Sequence, residues 1–400
     1  MRIIEAAVGW LGRIASHYLP DGAIQSLVVD GVLSGLGSVL VFLPQIMLLF
    51  AFITLLEECG YLARAAFMVD RLMRAVGLSG RAFVPLLSSF ACAVPAILST
   101  RTIADRRERY VTILLAPLMS CSARLPVYLV FIGALVPDVR YLGGLVRVPA
   151  LVMLGMYLIG ILVAVPAAWL LRNTAFSGPP TALLLELPRY KRPCLGAVAQ
   201  RVYLSGKEFL VRAGTIILAV NLFVWALAYF PRNEVAPAEL EAERRAHGWG
   251  DAEYERRVAA AHLRESYLGR LGRTIEPAIK PLGWDWRVGV SVVASFPARE
   301  LVVATLGTLF NLEEGDGTGR FHDALRRATW EGSSRPLFTL PVGLSLMVFY
   351  ALCAQCVGTL VVIGRETRSV FWPLASFTVM TTIAYFAAWG TSAAARALGL

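Results

Sequence analysis

Charge is what this sequence has least of. Only 16% of its 400 residues are Asp, Glu, Lys or Arg, against roughly 25% in ordinary soluble domains. That shortage excludes a disordered chain, which combines high charge with few apolar residues. Cysteine is sparse too, six in all, too few for a disulfide framework. Four scattered histidines make no metal cluster. The chain contains no H-E-x-x-H, no G-x-S-x-G and no G-x-x-x-x-G-K-[ST]. Metalloprotease and serine-hydrolase chemistry therefore have nothing to stand on, and no NTP site of its own is evident. What fills the chain is apolar: 57% of residues, with mean hydropathy +0.62. A soluble fold cannot hide that much. The net charge of +10 sits in short stretches between apolar runs, as membrane proteins carry it, and implies no nucleic-acid partner. This is an integral membrane protein in contact with lipid.

A hydrocarbon core of about 30 Å needs roughly 20 apolar residues in helical form. Uncharged runs of that order are Val32–Leu56, Ala82–Thr100, Val148–Leu171, Ala213–Pro231, Pro336–Gly364 and Ser369–Ala395. Tyr110–Pro137 qualifies if Arg124 is tolerated, and Val288–Leu312 if Arg299–Glu300 is. The expected fold is all-α and polytopic, with about eight transmembrane segments. Long continuous runs argue against a β-barrel.

The opening segment, residues 1–31, is no signal peptide. Ile4, Val8, Leu11, Ala15 and Tyr18 share one helical face, which suits a helix in the membrane interface or one packed on the bundle. Arg101–Arg109 carries four arginines, and residues 172–212 form a second basic loop. Eight crossings put both loops and both termini in the cytoplasm of a cell whose cytoplasmic membrane holds the protein. Arg64, Arg71, Arg74 and Arg81 then fall on the other side. Residues 232–285, rich in Glu–Arg pairs such as Glu241–Arg245 and Glu253–Arg257, form an extracytoplasmic, solvated helical insert.

A shift of 206 residues aligns Gly77 with Gly283, Arg81 with Arg287, Val84 with Val290 and Ser89–Phe90 with Ser295–Phe296. A larger shift places Ser120–Cys121 on Gln355–Cys356. The sequence thus divides into two related transmembrane halves, 32–171 and 213–400, and four segments in each make the repeat parallel. The repeat-related segments are those that look broken. Pro95 stands mid-span, Arg124 with Ser120 and Ser122 lies between Pro117 and Pro126, and Pro297 precedes Arg299–Glu300. Lipid satisfies neither a freed carbonyl nor a charge. The breaks therefore line a polar cavity, or the helices are kinked and pack through small residues.

Cys92, Cys121 and Cys356 each stand at a break, with Cys353 one turn from Cys356. A lone membrane cysteine is ordinarily an apolar filler. Three at comparable positions are candidate ligands for a borderline-soft first-row metal rather than Mg²⁺ or Ca²⁺. Glu57 and Glu58 close the first span and read equally as cation collectors or as a charged helix end. Gln45 and Asn221 read as interhelical glue or as pore lining. Cys194 receives no role.

At these residues the chain resembles the membrane portion of the ferrous iron transport protein B family. The resemblance runs through Leu43-Pro-Gln, Leu55-Leu-Glu-Glu-Cys-Gly-Tyr-Leu-Ala-Arg-Ala-Ala-Phe67, Cys92-Ala-Val-Pro-Ala96 and Met119-Ser-Cys-Ser-Ala-Arg-Leu-Pro-Val-Tyr128. It continues through Lys207–Ile217, Ala298-Arg-Glu300 and Arg365-Glu-Thr367. It implies two gate modules, Fe²⁺ import and no permanently bound cofactor, Fe²⁺ being the substrate. It also implies a separate cytoplasmic GTPase subunit and a small SH3-like protein as partners, with a homo-oligomer open. On this reading Cys92, Cys121, Cys356 and Cys353 line the pathway, Glu57 and Glu58 attract the cation, and Arg124 bonds freed carbonyls. The chain departs from the family pattern at Cys59, Arg299 and Gln355, which leaves Mn²⁺ and Zn²⁺ open as cargo. Another solute, such as a nucleoside, and a non-transporting scaffold for a G protein are the alternative functions.

Overall fold

A helix of seven residues rises about 10 Å, a third of the hydrocarbon core. Two of the eight apolar stretches are made of helices near that length. Ala82–Thr100 folds as Phe83–Ser89 and Ala93–Ser99, packed on each other and joined at Phe90–Cys92. Val288–Leu312 folds as Trp286–Ala294 and Leu301–Leu309, likewise packed. Both are hairpins too short to cross. The computed structural model describes the chain except residues 1, 21, 142–145, 179–189, 232–240, 242–243, 246–249, 298, 300, 311–316, 332, 355 and 400. Among the described residues five helical stretches are long and apolar enough to span: Ala23–Glu58, Arg106–Leu135, Val148–Asn173, Leu340–Thr367 and Phe371–Ala397. Thr215–Tyr229 is shorter but continues Leu195–Phe209 through a π-helical stretch, Leu210–Gly214. Among the described residues the fold is helical but for a two-residue strand pair, Arg140–Tyr141 with Val146–Arg147, and an isolated bridge between Thr329 and Pro336.

The expected count of eight crossings is therefore not confirmed among the described residues. Prolines explain why sequence runs hide the hairpins. Pro95 stands in the first turn of Ala93–Ser99, and Pro126 in the first turn of Leu125–Leu135. A proline there forfeits only an N–H that has no helical partner. It starts a helix rather than kinking one. Between the hairpins the chain runs through Arg106–Leu135, Val148–Asn173 and Leu195–Tyr229. Gly77 and Gly283, which the expected repeat aligns, both adopt left-handed φ, 79° and 88°.

The chain forms two compact units. One comprises residues 1–123, 157–219 and 351–381, the other 124–156, 220–350 and 382–400. They interleave the sequence halves: each broken helix contributes its first arm to one unit and its second arm to the other. In the first unit a buried cluster of Leu78, Ala82, Ile103, Val111, Leu115 and Leu118 ties the hairpin to the helix Arg106–Leu115. In the second, Leu268, Trp286, Val290, Ala294 and Leu309 form a core. The Tyr267–Ile279 helix of the expected solvated insert is thus packed on the second hairpin, while Glu253–Arg257 pairs at 3.1 Å as expected.

Within the first unit the basic segments meet. Arg64 lies 3.6 Å over the Tyr190 ring, Gly77 rests on the Arg172 side chain, and Arg107 donates to the Ser177 carbonyl at 2.7 Å. The Ser79 N–H donates to buried Glu108 at 2.7 Å. Arg201 pairs with Glu57 at 3.1 Å and Lys191 with Glu58 at 3.8 Å. Gly206 lies beside Met47 and Gly214 beside Val39, so the helix from Leu195 runs antiparallel to the first span. Arg64–Arg81, expected opposite the 172–212 loop, shares its face. The N-terminal end of the first span lies at the opposite end of this antiparallel pair from the 172–212 loop. The helix Arg2–Tyr18 is packed through Val8 on Gly37.

This arrangement predicts an accessibility pattern. In a Cys59→Ser, Cys194→Ser background, an impermeant maleimide should label Glu57→Cys and Arg201→Cys from one side of the membrane and Ala23→Cys from the other. Labelling of Glu57→Cys and Arg201→Cys from opposite sides would contradict the pairing.

Candidate functional site

The breaks supply backbone that no helix satisfies. At the tip of the first hairpin Cys92 precedes Ala93–Ser99 in extended conformation, φ −156°. Cys356 holds the same place before Val357–Thr367, φ −124°. These two helices pack together, and Gly358 permits it. A Cβ at Gly358 would lie 3.8 Å from both the Cys356 Sγ and a Val94 methyl. Cys121 is half-buried in the break between the short 3₁₀ turns Ala116–Leu118 and Ser122–Arg124. Cys121 and Cys356 both lie within electrostatic range of Cys92. Three thiols far apart in sequence thus share one neighbourhood of the first unit. Cys353, fully buried, lies in the same break as Cys356.

Polar side chains tie the tip to its surroundings. The Gln45 amide donates to the Ser122 hydroxyl at 3.2 Å, and Ser122 donates to the Ala91 carbonyl at 2.9 Å. That carbonyl is one the hairpin turn leaves outside any helix. Ser120 is fully buried. Its approach to the Val148–Asn173 helix depends on Gly160, where a Cβ would stand 2.7 Å from the Leu118 carbonyl oxygen and 3.4 Å from Ser120 Oγ. The donor set, three thiols with hydroxyl and carbonyl oxygens, is of the kind that suits borderline first-row cations. It does not close into a cage: among the described residues no group of three or more His, Cys, Asp or Glu side chains is placed to hold a metal ion.

The remaining expected residues fall elsewhere. Glu57 and Glu58 are engaged by Arg201 and Lys191 at the end of the first span, apart from the thiols. Arg124 is fully buried at the start of Leu125–Leu135, in the second unit. Arg299 is buried in that unit too, its Nη1 donating to the Tyr350 carbonyl at 2.9 Å, and the Tyr350 hydroxyl is 3.0 Å from Ser295 Oγ. Glu300, like Gln355, lies outside the described residues. Sequence reasoning missed Gly160 and Gly358, whose only signal is a glycine inside an apolar helical run. It also missed Glu366, which accepts from Arg101 at 2.5 Å and from Arg109 at 2.5 Å.

Two short hairpins and two interrupted helical stretches among apolar helices long enough to span mark a polytopic membrane protein with broken helices. The chain belongs to the Gate family, described as nucleoside recognition, whose model matches residues 39–135 and 210–370. Between those stretches, residues 153–204 match the model described as ferrous iron transport protein B C terminus. The Fe(2+) transporter FeoB of Leptospira interrogans is 42% identical over 384 residues, covering 96% of this chain and 52% of that protein. That of Campylobacter jejuni is 33% identical, covering 97% and 58%. The Fe(2+) transport protein A/Fe(2+) transporter FeoB fusion protein of Porphyromonas gingivalis is 36% identical, covering 96% and 46%. The chain spans about half the length of the curated relatives it matches. No solved structure matches it.

Proposed function

We propose that this chain forms the membrane pathway of a transporter that moves Fe²⁺ into the cell across the cytoplasmic membrane. The observation that carries this reading is the convergence of Cys92, Cys121 and Cys356, in a chain whose relatives are named Fe(2+) transporters. In this reading the three thiols bind the partly dehydrated cation in passage, and Cys353 stands in the same break as Cys356. Ser120, Ser122 and the freed carbonyls add oxygen donors, and Pro95 fixes the start of the helix behind Cys92. Glu57 and Glu58 tune the electrostatics of the basic face through their pairs, rather than collecting the ion unassisted. Arg124 and Arg299 hold broken backbone in place, as the Arg299 bond to the Tyr350 carbonyl supports.

A GTPase outside these residues gates or energises the movement, and a small SH3-like protein assists. The fused Fe(2+) transport protein A of one relative supports the second partner. The test is uptake of reduced radioactive iron by cells that lack other ferrous transport and express the chain in its native genetic context. Uptake above the empty control, competed by Mn²⁺ or Zn²⁺ in proportion to their affinity for thiols, is the expected result. Uridine uptake without iron uptake would favour the nucleoside reading that the family description suggests.

A further inference from the structure

On the face that gathers the basic segments, the first unit holds a cavity of 630 Å³ lined by Arg101, Arg106, Arg109, Arg365 and Arg368 around a single carboxylate, Glu366. Glu366 is spent on structure. Its Oε1 accepts from Nε and Nη2 of Arg101 and its Oε2 from Arg109, which pins two guanidinium groups at the cavity wall. Glu208 is the other carboxylate whose charge reaches Arg101. Five cations against two anions leave the cavity strongly positive. The Arg109 Nε is buried without a hydrogen-bond partner among the described residues, a donor of the kind that buried sites ordinarily satisfy.

The backbone adds an independent observation. Arg368 ends the helix Val357–Thr367 in the left-handed conformation, φ 49°. Glycine fills that position by default, and a side chain there is strained. The Arg368 side chain stands at the wall of the cavity from that position. The cavity also lies beside an aromatic cluster. Tyr110, which lines it, stacks on Phe176 at 5.8 Å, and Phe176 lies 5.2 Å from Trp372. Tyr and Trp concentrate where lipid meets water.

We infer that this cavity is a binding site for a phosphate-bearing anion, with Arg106, Arg365 and Arg368 as the exposed cations and Glu366 orienting Arg101 and Arg109. Guanidinium forks match phosphate oxygens in geometry as well as charge. The same chemistry is offered by an anionic lipid headgroup at the interface and by free phosphate. The inference is independent of the iron reading, because the site lies on side chains to which that reading gives no part.

The test uses the full chain in nanodiscs and reads the thermal unfolding midpoint. The probes are phosphatidylglycerol replacing phosphatidylcholine, and inorganic phosphate added to phosphatidylcholine discs. Two variants are compared with the parent: Arg106→Gln combined with Arg365→Gln, and Arg368→Gly. The second relieves backbone strain, so a lost response there cannot be blamed on misfolding. A stabilising shift with phosphatidylglycerol that both variants cut by half or more assigns a lipid headgroup. A variant-sensitive shift with inorganic phosphate alone assigns the free anion. No shift in the parent, or parental shifts in both variants, overturns the site.

Discussion

Serine at Cys121 should lower ferrous uptake about 10-fold or more, the scale on which metal sites respond even to changes beyond the ligands themselves. Protein level should stay near the parent, because serine nearly preserves the volume of a side chain that is only half-buried. Cys92→Ser and Cys356→Ser should show the same sign with smaller losses. Cys121 leads because it sits in a break between two 3₁₀ turns, where the backbone has no helix to restore its geometry. A thiol that only fills space predicts the reverse, a modest stability change with normal transport. Normal iron uptake by all three single variants, at normal expression, would remove the thiols from the pathway. Hard cations provide an internal contrast, since thiolates contribute little to binding Mg²⁺.

Alanine at Gly80 should unfold the first unit more readily than any conservative change near it. The added Cβ would stand 2.2 Å from the Ala66 carbonyl oxygen and 3.1 Å from the Asp70 Cβ. Asp70 already accepts the Gly80 N–H at 2.8 Å. Neither neighbour is the flexible end of a side chain, so backbone must move, at a cost of about 3 kcal/mol. The measurement is the unfolding midpoint in detergent, with Gly155→Ala as control. Nothing lies within 4 Å of a Cβ at Gly155, and alanine there should be neutral or raise the midpoint. Equal midpoints for the two variants would mean that the Gly80 contact is not tight.

Composition and run length were enough to read an all-helical membrane protein. Proline, cysteine and small polar residues at Cys92–Pro95 and Ser120–Arg124 located the breaks. What the sequence hid was the direction of the chain after each break. A seven-residue helix, a turn and another seven-residue helix have the same apolar length as one span, and Ala82–Thr100 reads identically either way. Glu57 and Glu58 illustrate a second limit. Two adjacent carboxylates at a helix end say nothing about Arg201 and Lys191, more than 130 residues away, which engage them. The thiol neighbourhood was legible because its members share an unusual local context. Gly160 and Gly358 were not, because close approach is a property of the pair of backbones and only one of them is adjacent in sequence.

The shallow depth of the first hairpin gives the proposed pathway an electrical character. Seven residues lift Cys92 about 10 Å from the face that anchors the hairpin, or about a third of a 30 Å core. A membrane voltage of 100 mV acts on each elementary charge with about 2.3 kcal/mol across the full core. For a divalent ion arriving from the anchoring face, a third of that field is worth about 1.5 kcal/mol, or about 10-fold in occupancy. An ion arriving from the other face crosses the larger share of the field before it reaches the same thiols. Membrane potential would therefore shift the occupancy of the proposed site about 10-fold, and the voltage dependence of the apparent affinity would report how deep the cation sits.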